Sequence, residues 1–421
     1  MNVYCTSKRI IITLLFVSLC WSVSVSAQST KVTAFTNGLW FNGSTFEAKT
    51  AYVVGSSLSF RRPNHIDETI DLGGGFVVPP FGEAHNHNVE SLNKIDALVT
   101  KYLEHGIFYV KNPNSLARDR PVLAPKINRP ESIDVVFSNA SFTGSGGHPV
   151  EIPERVIKRG LWTQADAEGG FYFIVDKKDD LEKKWPLLLA TKPDFIKTYL
   201  LYSEEYAKRK NDPKYLYWRG LDPSLLPLIV KKAHAAGLRV STHIESAADF
   251  HNALTAGVDE INHMPGFRSL SDVDRHVPAI FEISEADAKL AAKRGIFVVT
   301  TLRNQQSDPN LQQQQDSLNS RNLLMLLKHH VKVALGSDSY RDDTVPEALY
   351  LYSLHVIDNA TLLRMWCTTT AQTIFPHRKI GALKEGYEAS FLVLEFNPIE
   401  NFNSVTLIRL RIKQGNVLQA N

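Results

Sequence analysis

Two histidines, His85 and His87, stand two residues apart at the end of the apolar run Phe76-Val-Val-Pro-Pro-Phe-Gly-Glu-Ala-His-Asn-His87. In an extended strand that spacing sends both imidazoles to one side, where they can reach one metal ion. His-x-His pairs are common, and alone this one carries little. Four further residues raise its weight: Lys197, His243, His263 and Asp338 each lie in or just after a short β-like run. Imidazole and carboxylate suit divalent, zinc-like ions, and two such ions can share a bridging oxygen ligand. Lys197 is the odd member, because an ammonium beside cations repels them. It fits if carbon dioxide converts it to a carbamate, a negative group able to bridge two ions. The alternative is a core-edge lysine that carries its head to solvent. Order and context point to hydrolytic metal chemistry, with the substrate left open.

Such distant residues can meet only if the elements bearing them converge. From residue 91 the sequence alternates helix-period and strand-like stretches. Ile107–Val110, Ile133–Phe137, Phe195–Leu200, Leu238–His243, Glu260–Met264, Ile296–Thr301 and Val331–Leu335 read as strands, and Pro223–Ala235 and Glu285–Lys293 as helices. Gly237, Gly257 and Gly295 stand where helix C-terminal caps belong. With the run that ends at His85, this makes eight strands joined by crossovers. That is the count of a (β/α)8 barrel, an α/β fold in which the C-terminal strand ends share one mouth. No Gly-x-Gly-x-x-Gly follows the first strand, and there is no Gly-x-Ser-x-Gly elbow, which argues against dinucleotide-binding and α/β-hydrolase layouts. Residues 31–78 and 379–421 are strand-and-turn throughout and predict one small β-sandwich-like domain assembled from both ends around a barrel at 79–378. Two inserts interrupt the alternation. Tyr202–Trp218, rich in aromatics and charge, is expected to form a substrate wall or a solvated loop, and the Gln-rich Gln305–Asn319 a mobile polar loop.

The motifs Val78-Pro-Pro-Phe-Gly-Glu-Ala-His-Asn-His87, Asp194-Phe-Ile-Lys197, Ala233-His-Ala-Ala-Gly-Leu-Arg-Val-Ser-Thr-His243, Glu260-Ile-Asn-His263 and Gly336-Ser-Asp338, with the tail Ile380–Ser390, together resemble the amidohydrolase superfamily. Within it the chain is most similar to the imidazolonepropionase-like and Xaa-Pro-dipeptidase-like branch. The resemblance implies a binuclear site for two divalent ions, zinc first among them. His85, His87 and Asp338 would hold the buried ion, His243 and His263 the more exposed one, and Lys197, as N6-carboxylysine, would bridge them. It implies hydrolysis of a carbon–nitrogen bond by metal-activated hydroxide, with Asp338 moving the proton. Glu83 stands where the family usually has Asp, outside the metal shell. His148, in the Gly-rich Ser141–Pro149 loop, resembles a substrate contact of related dipeptidases; Tyr199 and Arg219 are further substrate-contact candidates. A small molecule or short peptide is the expected substrate. An Xaa-Pro metallopeptidase, a lactonase and a metal-retaining binding protein stand as alternatives.

The chain has 421 residues, a formal net charge of +3 and 43% hydrophobic residues, with no dense Lys/Arg track of the kind that binds nucleic acid. Lys8-Arg9, the apolar run Ile10–Trp21 and small residues up to Ala27 read as a signal peptide over residues 1–27, too short in its apolar part for a membrane span. The expectation is an exported protein, periplasmic or extracellular, with no stable membrane insertion after cleavage. Its single remaining cysteine, Cys367, is expected in the core. The sequence leaves homo-oligomerisation open.

Overall fold

In the computed structural model, residues 31–90, 92–267, 278–303 and 308–418 are described, together with Met1. The rest of the expected signal segment, with Cys5, Cys20 and the cleavage site at Ala27, lies outside the described residues, as do residues 305–307 of the Gln-rich insert. Among the described residues no helix is long and apolar enough to cross a membrane.

The N-terminal stretches rich in β-branched and aromatic residues form β1 (Val32–Phe41), β2 (Phe46–Val54), β3 (Ser57–Ser59), β4 (Glu68–Asp71) and β5 (Phe76–Val78). The barrel run follows with β6 (Phe81–Glu83), β7 (Ile107–Asn112), β8 (Asp134–Phe137), β9 (Ser141–Thr143) and β10 (Tyr172–Ile174). It continues through β11 (Ile196–Tyr199), β12 (Val240–His243), β13 (Glu260–Asn262), β14 (Phe297–Val299) and β15 (Lys332–Ala334). At the C-terminus, β16 (Phe391–Leu394), β17 (Ile408–Lys413) and β18 (Asn416–Leu418) return to the first group. There they complete a mixed eight-stranded sheet in the order β18-β17-β16-β5-β1-β2-β3, with β4 beside β1. β16 pairs antiparallel with β5, Leu392 opposite Val78.

The remaining strands are parallel: a seven-stranded sheet β10-β9-β11-β12-β13-β14-β15 and a three-stranded one β6-β7-β8. Nine of the ten fill the eight strand positions of a (β/α)8 barrel, and β10 is an extra strand beside β9. β8 and β9 share one position, β8 against β7 and β9 against β11, and Asp194 N–H donates to Phe137 O across that joint. At the other joint the first and last strands are linked beyond their ends. Ala84 N–H donates to Leu335 O, and His85 O accepts from both Ser337 and Asp338. Alternating helices cover the outside, and Gly257 and Gly295 cap two of them in the left-handed region as expected.

The Gln-rich insert departs from expectation. Pro309–Lys328 is a 20-residue helix, started by Asp308, whose side chain accepts from Asn310 N–H. Gln315, Asn319 and Asn322 recur at helical spacing on one buried face. Asn322 Nδ2 donates to Phe281 O at 2.8 Å and Asn319 Nδ2 to Tyr350 Oη at 2.9 Å. Amides that read as loop chemistry are therefore the polar side of a packed helix, hydrogen-bonded to neighbouring elements except at Gln315 Oε1.

The floor of the first strand is set by Trp366, which sits in a π-helical turn, Met365–Thr369, beside the buried Cys367. Its ring stacks on Phe81 with centroids 3.8 Å apart, and its Nε1 donates to Gly82 O at 3.0 Å. Trp366→Ala is expected to destabilise the protein by about 3–5 kcal/mol, as truncation of a buried tryptophan does. Urea unfolding followed by circular dichroism checks this, and a loss under about 1 kcal/mol would refute the packing role.

Candidate metal centre

The strand ends deliver six of the sequence candidates to one mouth. His85 and His87 follow β6, Lys197 lies within β11, His243 ends β12, His263 follows β13 and Asp338 follows β15. His263 and Asp338 both take left-handed backbone angles, φ +74° and +49°, as does Thr301 after β14 at +61°. Such angles cost a non-glycine residue about 1–3 kcal/mol each, a cost that clusters where side chains must be aimed for function. Gly336 makes the approach of Asp338 feasible. A Cβ there would lie 2.8 Å from His85 Cβ and 2.7 Å from Val299 Cγ1. Glu83 secures the same joint from below, accepting from His85 N–H at 3.1 Å, Ser337 N–H at 3.0 Å and Ser337 Oγ at 2.7 Å. Burial raises its carboxyl well above the usual range despite those bonds.

His85, His263 and Asp338 bring one donor atom each within 4.8 Å of one another. Asp338 Oδ1 lies 3.3 Å from His85 Nε2 and 3.1 Å from His87 Nε2. Two ligands held at about 2.0–2.1 Å from a tetrahedral zinc stand about 3.3 Å apart, so the observed spacings match an ion-bearing set. Burial, reinforced by the charge of Lys197, draws His85 down to about 4, which leaves the neutral imidazole a metal requires. Its Nδ1 and that of His87 are buried without a hydrogen-bond partner. Burial alone would raise Asp338, but hydrogen bonds from His85 and His87 and the charges of His85 and His263 outweigh it and hold the carboxylate well below its usual range. Aromatic faces fix the ring planes: His263 stacks on Phe267 at 3.9 Å, and His87 on Tyr340 at 5.1 Å. The donor set fits a divalent cation.

His243 packs its ring 4.5 Å from that of His263, and its Nε2 meets Glu245 Oε1 at 3.0 Å, a carboxylate the sequence reading had not singled out. Lys197 is fully buried, and its Nζ donates to Asn262 Oδ1. Burial pulls its amine down to about 7, opposed by the charges of Asp338 and Glu260. Below the mouth the barrel interior is polar where aliphatic side chains usually fill it. Glu260 Oε2 accepts from Lys111 Nζ at 2.6 Å, both groups being buried. Glu260 Oε1 accepts from Ser241 Oγ at 2.8 Å and Asn262 Nδ2 at 2.9 Å. Burial would raise Glu260, yet Lys111 and Arg239 hold it ionised, at about 2.

The mouth opens into a cavity of about 400 Å³ lined by His85, His87, His148, Tyr199, His243, His263 and Asp338. His148 is seated by Glu151, 2.5 Å from its Nδ1, and its ring lies 5.1 Å from those of both Tyr199 and His243. Its loop needs glycine, since a Cβ on Gly144 would lie 2.4 Å from Gly220 O. Tyr199 Oη donates to Asn114 Oδ1 at 2.9 Å. Arg219 is not part of the lining. Its guanidinium is spent on backbone carbonyls, Ser145 O at 2.9 Å and Arg209 O at 3.0 Å, so it braces the His148 loop from behind. Among the described residues the Tyr202–Trp218 insert does not line the cavity either. Tyr202 and Trp218 pack with Leu201, Phe281 and Leu318 in a small cluster that also holds Tyr199, a lining residue. The cavity instead gains Asn114, Glu151, Arg155, Phe171, Thr301, Arg303 and Tyr340. Of these only Thr301 carried a sequence signal, as the last residue of a predicted strand.

An Amidohydrolase family model matches residues 219–418. No curated protein matches the chain. Among solved structures, a prolidase complexed with N-methylphosphonate-L-proline aligns with a TM-score of 0.70 at 18% identity, covering 93% of this chain and 100% of its own. The ochratoxinase of A. niger aligns at 0.68 and 17% identity, covering 92% and 96%. Phenylurea hydrolase B aligns at 0.65 and 13% identity, covering 93% and 97%. At such identities the likeness is one of fold. The family match spans residues 219–418, the stretch that carries His243, His263 and Asp338, and the His-His-Asp cluster at the barrel mouth is the kind of donor set a metal-dependent hydrolase of carbon–nitrogen bonds uses.

Proposed function

We propose that the enzyme cleaves an amide bond in a small substrate bearing a free carboxylate, short peptides included, using two divalent ions, zinc in the first instance. The observation that carries this reading is the meeting of His85, His87, His263 and Asp338 in one cavity, whose lining also includes Arg155 and Arg303. On this reading His85, His87 and Asp338 would hold one ion, His243 and His263 the other, with Lys197, once carboxylated, as a ligand to both. Forming that group binds the Nζ lone pair to the carbon of CO2, opens one C=O bond and releases one nitrogen proton to water. Burial, by drawing the amine towards its neutral form, favours the reaction. The ions supply Lewis acidity, acidifying a water molecule and polarising a carbonyl. Asp338 accepts the proton of the attacking water on its carboxylate and returns it to the departing nitrogen. His148 and Tyr199 bound the substrate on the wall opposite Asp338, and Arg155 and Arg303 take the anchoring role that Arg219 cannot. The similarity to a prolidase supports a short-peptide substrate. The segment up to Ala27 supports export to the periplasm or beyond.

The test is a panel of Xaa-Pro dipeptides, N-acyl amino acids, their C-terminal amides and lactones, assayed before and after chelation. Free acids are expected to exceed their amides by about tenfold in kcat/KM, the worth of one charge-assisted contact. Chelation should abolish turnover and added zinc restore it. Equal rates on acids and amides would remove the carboxylate. Silence across the panel with metal bound would make the chain a binding protein.

A further inference from the structure

Asn262 lies in the polar column under the mouth and touches no part of the cavity. It follows from the period of β13, where Glu260 and Asn262 point into the barrel and Ile261 points out into the aliphatic core. Its Oδ1 accepts from Lys197 Nζ, its Nδ2 donates to Glu260 Oε1 at 2.9 Å, and the one proton of Ser241 Oγ is shared between Asn262 Oδ1 at 2.7 Å and Glu260 Oε1 at 2.8 Å. An amide can present either end to a neighbour, but Glu260 is acceptor-only while ionised. It is held so by Lys111 Nζ at 2.6 Å and by Thr373 Oγ1. The carboxylate therefore fixes which way the amide faces. The nitrogen end must meet Glu260, and the oxygen end must meet Lys197.

We propose that Asn262 is the positioning residue for carboxylation of Lys197, its Oδ1 holding one Nζ proton so that the lone pair is left facing the metal ligands. The inference rests on the bridging-lysine reading above and adds the device that selects the carbamate's direction. A free amine carries two protons and a lone pair, and a carbamate nitrogen carries one proton. The Asn262 bond can persist through the reaction: the C–N bond forms on the opposite side of Nζ, and the second proton leaves to water. The planar carbamate is then locked with its N–H on Asn262 and both oxygens directed away from the polar column. Lys111, Glu260 and Ser241 act through Asn262 and do not touch the reacting nitrogen.

The experiment uses full-length protein loaded with zinc in 13C-labelled bicarbonate. The carbamate carbon is read by NMR, metal per chain by elemental analysis, and fold by urea unfolding. Wild type is expected to show the carbamate signal. Asn262→Leu, close in volume but without an acceptor, should need about tenfold more bicarbonate for half-occupancy, the worth of one buried hydrogen bond. It should bind its second ion only as the signal returns. Asn262→Ala, which leaves room for water, serves if leucine does not fold, and the same loss is expected. Asn262→Asp should keep the signal, because a carboxyl beside Glu260 takes up a proton and then presents the same donor and acceptor. Removal variants that carry the carbamate at the wild-type bicarbonate level, or an Asn262→Asp protein that loses it, would overturn this proposal alone. Absence of the signal in wild type would overturn the bridging lysine and this inference with it.

Discussion

Asp338→Asn is expected to lower kcat by about a thousandfold, within the range assigned to a positioned acid–base group, while KM changes by less than about threefold. The substitution preserves shape and leaves an oxygen facing His85 and His87, which now stand 3.3 and 3.1 Å from the carboxylate. What disappears is the negative charge and the basic lone pair. Burial works against the carboxylate, but its two histidine hydrogen bonds and the neighbouring histidine charges hold it well below its usual range. A low intrinsic basicity suits a group that must surrender the proton again to a leaving nitrogen. Because the same side chain belongs to the metal cluster, the comparison is made at equal metal content, confirmed by elemental analysis. Turnover within tenfold of wild type under those conditions would reduce Asp338 to a ligand.

Lys197→Ala is expected to take the protein from about two ions per chain to about one, since the remaining histidines still furnish a complete first set but no bridge. Lys197→Met, which keeps the volume of a fully buried side chain, separates loss of the bridge from collapse of the space around it. Both variants should lose activity, and neither should respond to bicarbonate. Retention of two ions by the methionine variant would exclude a bridging role. Retention by the alanine variant alone would point to water or a small anion filling the gap.

Much of this centre was legible because its candidates stand in or just after strand-like runs. His85 and His87 both reach Asp338, though from bends after β6 and not from an extended strand, and the capped helices before β12, β13 and β14 locate the strands that precede or carry His243, His263 and Thr301. Thr301 was within reach on those grounds: a predicted strand ended on it, and its Oγ1 meets His263 Nδ1 at 2.7 Å. Arg155 and Arg303 were not. Each reaches the cavity from an irregular connection or a short helix, where no periodicity says which side chain faces it. Arg219 illustrates the converse: a cation in the right region whose donors were already claimed by backbone carbonyls. The helix at Pro309–Lys328 was hidden by composition, because its buried face is made of amides whose partners lie far away in sequence. Glu83 looked like a minor departure from the family pattern. The structure shows it fastening the strand of His85 to the loop of Asp338.

The pairing of Leu392 with Val78 has a temporal corollary. During synthesis β5 leaves the ribosome long before β16, so one edge of β5 stays open while the whole barrel between them is made. Domains that finish co-translationally do so by contacts local in sequence, and this sheet has no such option at its centre. Its closure waits for β16, and until then an unsatisfied strand edge is exposed to neighbouring nascent chains.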